Sequence, residues 1–301
     1  QPEDQQVQTW LKEGLTIEVH TLTHPCPLLH QGKFEQAANV VHGGVDLLSQ
    51  IKGNIPVAYR MPCCDSMNSL SPRFFAEIFN RTSADGRYLQ IDTSAFNITT
   101  GKDKSLPHEW VVDKDGKERF GKYLEKMKSY VGTIEDYPYP YVINRLCWEF
   151  PCVVPSDWEA QNLIGNQKPQ MLEDWKRALD VTMRKQGVMN LVFHPHGWSS
   201  SAQLVALIDY ADKTYGKKVK FLNFKECVER LEKNLLKGSS LRDKQGHDAG
   251  ARVMDVNHDG YMDVLIGEKK LTRIWNPKQL SWIEHKLPFD ARQVLAGVLD
   301  K

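Results

Sequence analysis

Apolar and polar positions along the chain predict an alternation of short strands and longer helices over the first 236 residues. Residues 15–19 alternate like a strand that ends at His20, and apolar side chains then repeat at helical spacing over residues 34–48. Later on, Ser156 and Glu159 form a capping-box pattern. The same patterns predict further strands at 55–59, 88–92, 188–193 and 219–222, and further helices at 71–80, 172–187, 201–215 and 223–236.

Polar side chains stand at the ends of four predicted strands: His20, Arg60, Asp92 and His194. Strands that alternate with helices are typical of parallel βαβ units. In a parallel barrel, the carboxyl ends of the strands form the rim at which chemistry takes place. The alternative interpretation is that polar residues follow strands simply because loops do.

Three stretches depart from the alternation. Residues 97–155 are rich in aromatic residues and proline, and they predict an irregular segment that wraps the outside or shapes a cleft. Residues 237–249 are polar and contain glycine, which predicts a linker. Beyond them, short strand-like pieces are separated by turns. The sequence therefore divides into a domain at 1–236, a linker at 237–249 and a β segment at 250–301.

Composition narrows the range of partners. The chain has 301 residues, is 41% hydrophobic and 26% charged, and carries a net charge of +1. That balance gives no electrostatic argument for nucleic acid or an anionic membrane as a partner. The apolar runs are too short to predict a membrane span. The 6 cysteines are too few for a disulfide scaffold, although one or two bridges in an oxidising compartment are plausible and their pairing is left open.

Three histidine-containing or arginine-containing segments carry candidate chemistry. His20 and His24 are four residues apart, and Pro25 argues against a helix there, so the pair lies where a strand turns into a loop. Two imidazoles converging at such a turn suit zinc and similar divalent metals. His194, at the tip of an apolar strand, is a candidate general acid or base. Arg60 is a candidate for orienting a carboxylate. Taken singly, each of these residues has a purely structural alternative.

In this order, the segments resemble the polysaccharide deacetylase family, the group with NodB homology. His20-Thr21-Leu22-Thr23-His24 resembles the metal-binding His-Ser/Thr-x-x-His motif, and Arg60-Met61-Pro62 resembles the Arg-x-Pro motif whose arginine orients the catalytic base. Ile91-Asp92 with Phe96 is similar to a motif of an aspartate and a groove-lining aromatic residue. Leu191-Val192-Phe193-His194 is similar to the motif whose histidine acts as the acid, with His196 as a second candidate.

The resemblance implies metal-dependent hydrolysis of a carbon–nitrogen bond, most simply de-N-acetylation of an amino-sugar polymer such as chitin or peptidoglycan. It implies a divalent metal on His20 and His24, with zinc first and cobalt or nickel as alternatives. It assigns Arg60, Asp92, His194 and His196 to the catalytic group. Phe96 and Trp198 would line the substrate groove.

One motif of the family has no counterpart here. The Thr-Phe-Asp-Asp motif of its first barrel strand supplies the base and the third metal ligand, whereas residues 1–14 contain only Glu3, Asp4 and Glu13 as acids and predict the end of a helix. We therefore expect an α/β fold with a distorted parallel (β/α) barrel of the polysaccharide deacetylase type that lacks its first strand, in a piece of a longer protein. Two alternatives stay open: an allantoinase-like amidohydrolase acting on a small molecule, and a non-catalytic carbohydrate-binding or adhesion protein.

A second signal lies in the C-terminal segment. Asp255, Asn257, Asp259 and Asp263 place side-chain oxygens at loop positions 1, 3, 5 and 9, with Gly260 at the sharp turn. Together with the strand that follows, the loop resembles the start of an FG-GAP or VCBS repeat, which implies bound calcium. Such repeats imply an extracellular, periplasmic or cell-surface location, which also agrees with possible disulfides.

Overall fold

The computed structural model describes residues 2–29, 32–66, 70–127 and 130–288. The fold is mixed α/β: two sheets contain parallel strands, and a separate antiparallel sheet follows at the C-terminal end. Within these residues, none of the helices combines the length and the apolar character that crossing a bilayer requires.

Helices flank the parallel strands. Each of the longer helices buries one apolar face, as α2 does through Ala37 and Val41. Two π-helical segments, Phe74–Phe79 and Leu231–Leu235, extend helical turns. The α-helices of the described residues are α1 (Pro2–Lys12), α2 (Phe34–Ser49), α3 (His108–Val111), α4 (Asp157–Ile164), α5 (Pro169–Lys185), α6 (Ser201–Tyr215) and α7 (Phe224–Arg230).

The strands before residue 154 are short and belong to two sheets, and those after residue 250 belong to a third. In chain order they are β1 (Ala58–Tyr59), β2 (Ile91–Asp92), β3 (Phe96–Ile98), β4 (Thr133–Glu135), β5 (Tyr141–Ile143), β6 (Cys147–Glu149), β7 (Cys152–Val153), β8 (Ala251–Met254), β9 (Asp263–Ile266), β10 (Leu271–Asn276) and β11 (Ser281–Lys286).

The central pairing is parallel, as the βαβ pattern predicts. β1 pairs with β2 and β2 with β6 in parallel, and β5 adds an antiparallel edge. In the neighbouring sheet, β3 pairs in parallel with both β4 and β7. Two isolated bridges extend the parallel set, because Val19 pairs with Tyr59 and Asn190 pairs with Cys152. The carboxyl ends of several chain segments therefore meet at one edge.

Helices were easier to predict than strands. The helical spacing at 34–48, 172–187 and 201–215 is confirmed by α2, α5 and α6, and the predicted capping box at Ser156 forms. A further capping box forms at Asn223, at the start of α7. Each box satisfies backbone donors that the first turn of a helix leaves open.

Several strand predictions are wrong in extent. The segments 15–19 and 188–193 contribute a single bridge each, at Val19 and Asn190, and residues 219–222 form no strand. Conversely, the stretch 97–155 was expected to be irregular and contains β4 to β7 and most of β3. Strands of two or three residues are too short to show an alternating pattern, so periodicity alone does not locate them.

The C-terminal sheet packs onto the parallel strands. Val264 and Ile266 of β9 share an apolar cluster with Ile91 and Trp148 of the central sheet. Within the predicted linker, Leu241 and Arg242 are buried, and the Arg242 guanidinium lies 4.0 Å from the centre of the Tyr88 ring. Residues 237–249 therefore contact the α/β part of the chain directly.

Candidate functional site

His20 lies at the end of the Val19 bridge, beside the end of β1. Its Nδ1–H donates to the backbone carbonyl of Arg60 over 2.8 Å, which leaves the Nε2 lone pair available. Burial lowers the pKa of His20 to about 4, the Arg60 carbonyl opposes this, and the charges of His24, Arg60 and His194 lower the pKa further. The imidazole is therefore neutral near pH 7, which is the form that binds a metal.

His24 lies against His20 across a tight loop. The two ring centroids are 4.8 Å apart in an edge-to-face arrangement, and the His24 backbone N–H donates to Thr21 Oγ1 over 3.0 Å. The loop packs closely on α2, where a Cβ added at Gly44 would lie 3.1 Å from the Thr21 carbonyl carbon. Glycine at this helix position lets the loop approach and brings the exposed His24 next to His20.

The Arg60 side chain reaches across the ends of several segments. Its Nε donates to the carbonyl and the hydroxyl of Thr93, over 3.2 and 2.8 Å. Its Nη2 donates to Asn190 Oδ1 over 3.3 Å and to Cys152 Sγ over 3.4 Å. Among the described residues, Arg60 forms no ion pair, so the carboxylate that the family resemblance assigns to it has no counterpart in this part of the chain.

His194 is held by a carboxylate that the sequence did not single out. Asp157, the first residue of α4, is fully buried and accepts the His194 backbone N–H and the ring Nδ1–H, both over 2.7 Å. Ser199 Oγ donates to the same carboxylate over 3.1 Å. This arrangement fixes the ring and leaves Nε2 as the free nitrogen of a half-exposed imidazole.

An aromatic wall stands beside His194. The Trp198 ring lies edge-to-face with His194 at 4.9 Å and tilted against His196 at 5.1 Å, while the two imidazoles stack at 6.0 Å. His196 is exposed and Trp198 is half-buried. A sugar ring or another flat apolar face can pack against such a surface.

Asp92 does not reach this surface. It is fully buried beside Glu149, its register partner on β6. Ser94 Oγ donates to Asp92 Oδ1 over 2.6 Å, and the Ala95 N–H donates to Glu149 Oε1 over 3.0 Å. The second oxygens of the two carboxyl groups, Asp92 Oδ2 and Glu149 Oε2, accept no hydrogen bond from the other described residues. One proton shared between these two oxygens would satisfy both.

Burial dominates the titration of this carboxyl pair. It raises the pKa of Asp92 to about 6, against the hydrogen bonds of Glu149 and Ser94, which lower it. Burial, reinforced by the charge of Asp92, raises the pKa of Glu149 well above its usual range.

The structure brings together some of the predicted site residues and separates others. His20 contacts both the His24 ring and the backbone carbonyl of Arg60, and the charge of His194 acts on His20. Trp198 and His196 adjoin His194. The assignments of Phe96 and Asp92 need correction: Phe96 is 1% exposed and packs in the core, so it lines no surface groove, and Asp92 can act on a substrate only through its neighbours.

Sequence reasoning missed Asp157, Glu149 and Asn190. Asp157 follows an N-cap serine, where an acid is expected merely for the helix dipole, so its position carried no sign of a second role. Glu149 lies in a strand of three residues that periodicity does not reveal, and the register of that strand brings it to Asp92. Asn190 forms a single bridge, and its contact with Arg60 joins segments 130 residues apart, which no local pattern predicts.

The predicted calcium loop is an ordered turn. Asp255 accepts the backbone N–H groups of Asp259 and Gly260, over 3.1 and 2.9 Å, and Asn257 also accepts from Asp259. Asp263 is fully buried, and its two carboxylate oxygens accept the N–H groups of Val256 and Trp275. Asp263 therefore ties the loop to β10.

Comparison with known proteins leaves the chain without a family assignment: no family model, no curated protein and no solved structure matches it. Within the described residues, no cluster of three or more His, Cys, Asp or Glu side chains is arranged to hold a metal ion.

Proposed function

We propose that the chain is a metal-dependent hydrolase that cleaves a carbon–nitrogen bond, most simply the N-acetyl amide of an amino-sugar polymer. The observation that carries this proposal is the meeting of a neutral His20, the adjoining His24, Arg60 and a carboxylate-supported His194 at one edge of parallel strands. Such an edge is where parallel α/β proteins place their chemistry.

The donor chemistry of His20 and His24 fits a divalent metal. His20 has its Nδ1–H fixed by a backbone carbonyl, the usual outer partner of a metal-binding histidine, and its Nε2 is free. Imidazole nitrogens suit zinc, with cobalt and nickel as alternatives. A bound metal would supply Lewis-acid polarisation of an amide carbonyl and a more acidic water. The proposal needs a further carboxylate, as third ligand and base, in addition to the described cluster.

The other side chains of the site donate a proton, orient the carboxylate and contact the substrate. His194 Nε2, with the ring fixed by Asp157, protonates the departing amine. Arg60 holds the proposed carboxylate in place through the guanidinium N–H groups that Thr93, Asn190 and Cys152 leave unused. Trp198 offers a face for the sugar ring.

We further propose that the parallel segments belong to a distorted (β/α) barrel that lacks one strand. Asn223 Nδ2 donates to the Gly14 carbonyl over 2.8 Å, so the last α/β segments lie next to the first. Leu15 and Phe221, on these two neighbouring segments, are 52% and 63% exposed. Exposed apolar side chains on two neighbouring segments are what an absent adjoining strand would leave.

The test is metal content together with substrate hydrolysis. We expect purified protein to bind about one zinc, cobalt or nickel ion per chain, and the His20→Ala/His24→Ala variant to lose it. The matched control is His247→Ala/His285→Ala, which removes two exposed histidines far along the chain and should keep the metal. In protein that also includes a strand supplying the proposed carboxylate, we expect acetate release from chitooligosaccharides or peptidoglycan fragments.

Other outcomes would redirect the proposal. Hydrolysis of small cyclic amides but not of acetylated sugars would favour the allantoinase-like reaction. Binding of oligosaccharides by a protein that takes up no transition metal would favour the non-catalytic carbohydrate-binding role and would overturn the enzyme proposal.

For the C-terminal sheet we propose a calcium ion on Asp255, Asn257 and Asp259, with Asp263 anchoring the loop. Hard oxygen donors in a short turn suit calcium. A ligand that binds the folded state alone raises the melting temperature, so millimolar calcium should do so for the wild type and not for Asp255→Asn/Asp259→Asn. An equal effect of calcium on both proteins would contradict this assignment.

The proposed location is extracellular, periplasmic or on the cell surface. The Cys26–Cys63 disulfide supports it, because such bonds persist in oxidising compartments.

A further inference from the structure

One disulfide joins the two loops that carry the proposed metal-binding histidines and Arg60. Cys26, two residues after His24, is bonded to Cys63, three residues after Arg60, with their Cα atoms 6.2 Å apart. The Val19 bridge and the His20–Arg60 hydrogen bond also link these loops, and both of them hold His20. His24 lies beyond them, on the part of its loop that the disulfide fixes.

The backbone of both loops needs restraint. Thr21, His24, Cys63 and Cys64 all have positive φ, between 49° and 65°, and none of them is glycine. A left-handed conformation is unfavourable by about 1–2 kcal/mol for each such residue. Two hydrogen bonds oppose this cost in the His20–His24 loop: the Leu22 N–H donates to the Val40 carbonyl, and the His24 N–H donates to Thr21 Oγ1. A covalent link between two strained loops opposes their local opening and so keeps them ordered.

The disulfide is accessible. Both cysteines are exposed, and the Tyr130 hydroxyl donates to Cys26 Sγ over 2.7 Å. An external dithiol can therefore reach the bond. It would deliver two electrons and two protons, becoming a disulfide itself and leaving Cys26 and Cys63 as thiols.

We propose that the Cys26–Cys63 disulfide positions His24 against His20 and thereby sets the metal affinity of the pair, so that reduction of the bond weakens metal binding. This inference rests on the proposed function, because it assumes that His20 and His24 are metal ligands. In this proposal, Cys26 and Cys63 are positioning residues that act on the metal through His24.

The test compares cobalt(II) affinity in Cys26→Ser/Cys63→Ser and in the oxidised wild type, by titration calorimetry. Serine is used because free thiols are themselves good metal ligands, which would mask a loss of the histidine geometry. We expect the variant to bind about 10 to 100 times more weakly, the size of effect that loss of ligand support produces. Cys227→Ser, which changes a cysteine of α7, is the matched control and should bind like the wild type.

A second readout is independent of the metal. Amide hydrogen exchange in the metal-free protein should speed up over residues 21–29 of the double variant, while the α2 helix keeps its protection. If the double variant does not fold, brief treatment of the folded wild type with a phosphine reductant gives the same comparison. Such a reductant also removes the disulfide, forming the phosphine oxide with oxygen from water.

The two proposals fail in different ways. Equal cobalt affinity and equal exchange in the variant and the wild type would overturn the role of the disulfide alone. Failure of the oxidised wild type to bind any transition metal would overturn the proposed function before a cysteine is changed.

Discussion

At the scale of single residues, the site depends on side chains that hold other side chains. Asp157 fixes His194, a backbone carbonyl fixes His20, and Thr93 and Asn190 fix Arg60. The sequence predicted His20, Arg60 and His194 as site residues, because each of them directly follows an apolar run at the end of a predicted strand. Their supporting partners are set by tertiary contacts between segments far apart in sequence, and no local pattern reveals those contacts.

Asp157→Asn should impair catalysis more than folding. The amide can still accept one hydrogen bond, but it no longer accepts both N–H groups of His194 as a carboxylate does, so the ring loses its fixed tautomer. We expect kcat to fall by about 10²–10⁴, by analogy with the loss of a carboxylate from other histidine pairs. Ser199→Ala, which removes only one of the contacts to Asp157, should cost much less. Initial rates of acetate release, measured with the strand that supplies the proposed carboxylate present, compare both variants with the wild type, and equal rates in wild type and Asp157→Asn would refute the assigned role.

The Asp92–Glu149 pair predicts a stability that falls as the pH rises. Because burial raises the pKa of Asp92 from 3.8 to about 6, the folded state binds the proton more tightly than the unfolded state does. The resulting stabilisation is complete below pH 3.8 and is lost as the pH rises through about 6.

Asp92→Asn should remove this loss. An amide stays neutral and can donate to Glu149, so near pH 8 the variant should be more stable than the wild type, by about 1–3 kcal/mol at one pKa unit per 1.36 kcal/mol. Urea unfolding at pH 5 and pH 8 measures the difference. A variant less stable than the wild type at both pH values would show that the carboxylate itself is required.

At the scale of secondary structure, helices were predictable and strands were not. α5 and α6 follow a 3.6-residue repeat over four turns or more, and their caps are local. β2 and β6 have two and three residues, and their place in the sheet follows from parallel pairing with distant segments. The predicted strand at 219–222 contains Phe221, which is 63% exposed, so apolar character alone misled the assignment.

The cap of α4 links an element to the site. Ser156 accepts the Trp158 N–H over 3.2 Å, and its own N–H donates to Glu159. We expect Ser156→Ala to cost about 1 kcal/mol of stability and to lower kcat, because the helix that it starts begins with Asp157. Asn223→Ala, which removes the cap of α7, is the control. Thermal unfolding and initial rates together should show a similar stability loss in both variants and a lower kcat in Ser156→Ala alone.

At the scale of the whole molecule, the α/β part and the C-terminal sheet share apolar contacts. The sequence predicted a change of composition near residue 250, and an antiparallel sheet does begin there. It did not predict that Val264 and Ile266 pack with Ile91 and Trp148, because packing between sheets leaves no periodic trace.

This shared cluster predicts cooperative unfolding. Ile266 is fully buried, so Ile266→Ala should cost about 2–5 kcal/mol and lower the melting temperature of the α/β part together with the sheet. The Ile283 side chain on β11 is 41% exposed, so Ile283→Ala should change stability by less than about 0.5 kcal/mol. Scanning calorimetry should show one transition in each protein. Two separate transitions, with only one shifted by Ile266→Ala, would mean that the sheet unfolds independently.

The central claim is that His20 and His24 bind one divalent metal at the edge that also carries His194. The most direct measurement is anomalous X-ray diffraction at the zinc absorption edge from crystals grown with zinc, compared with crystals of His20→Ala/His24→Ala. The account predicts a single strong peak within about 2.0–2.1 Å of an imidazole nitrogen of each histidine, absent from the variant. A peak elsewhere in the molecule, or an unchanged peak in the variant, would contradict it.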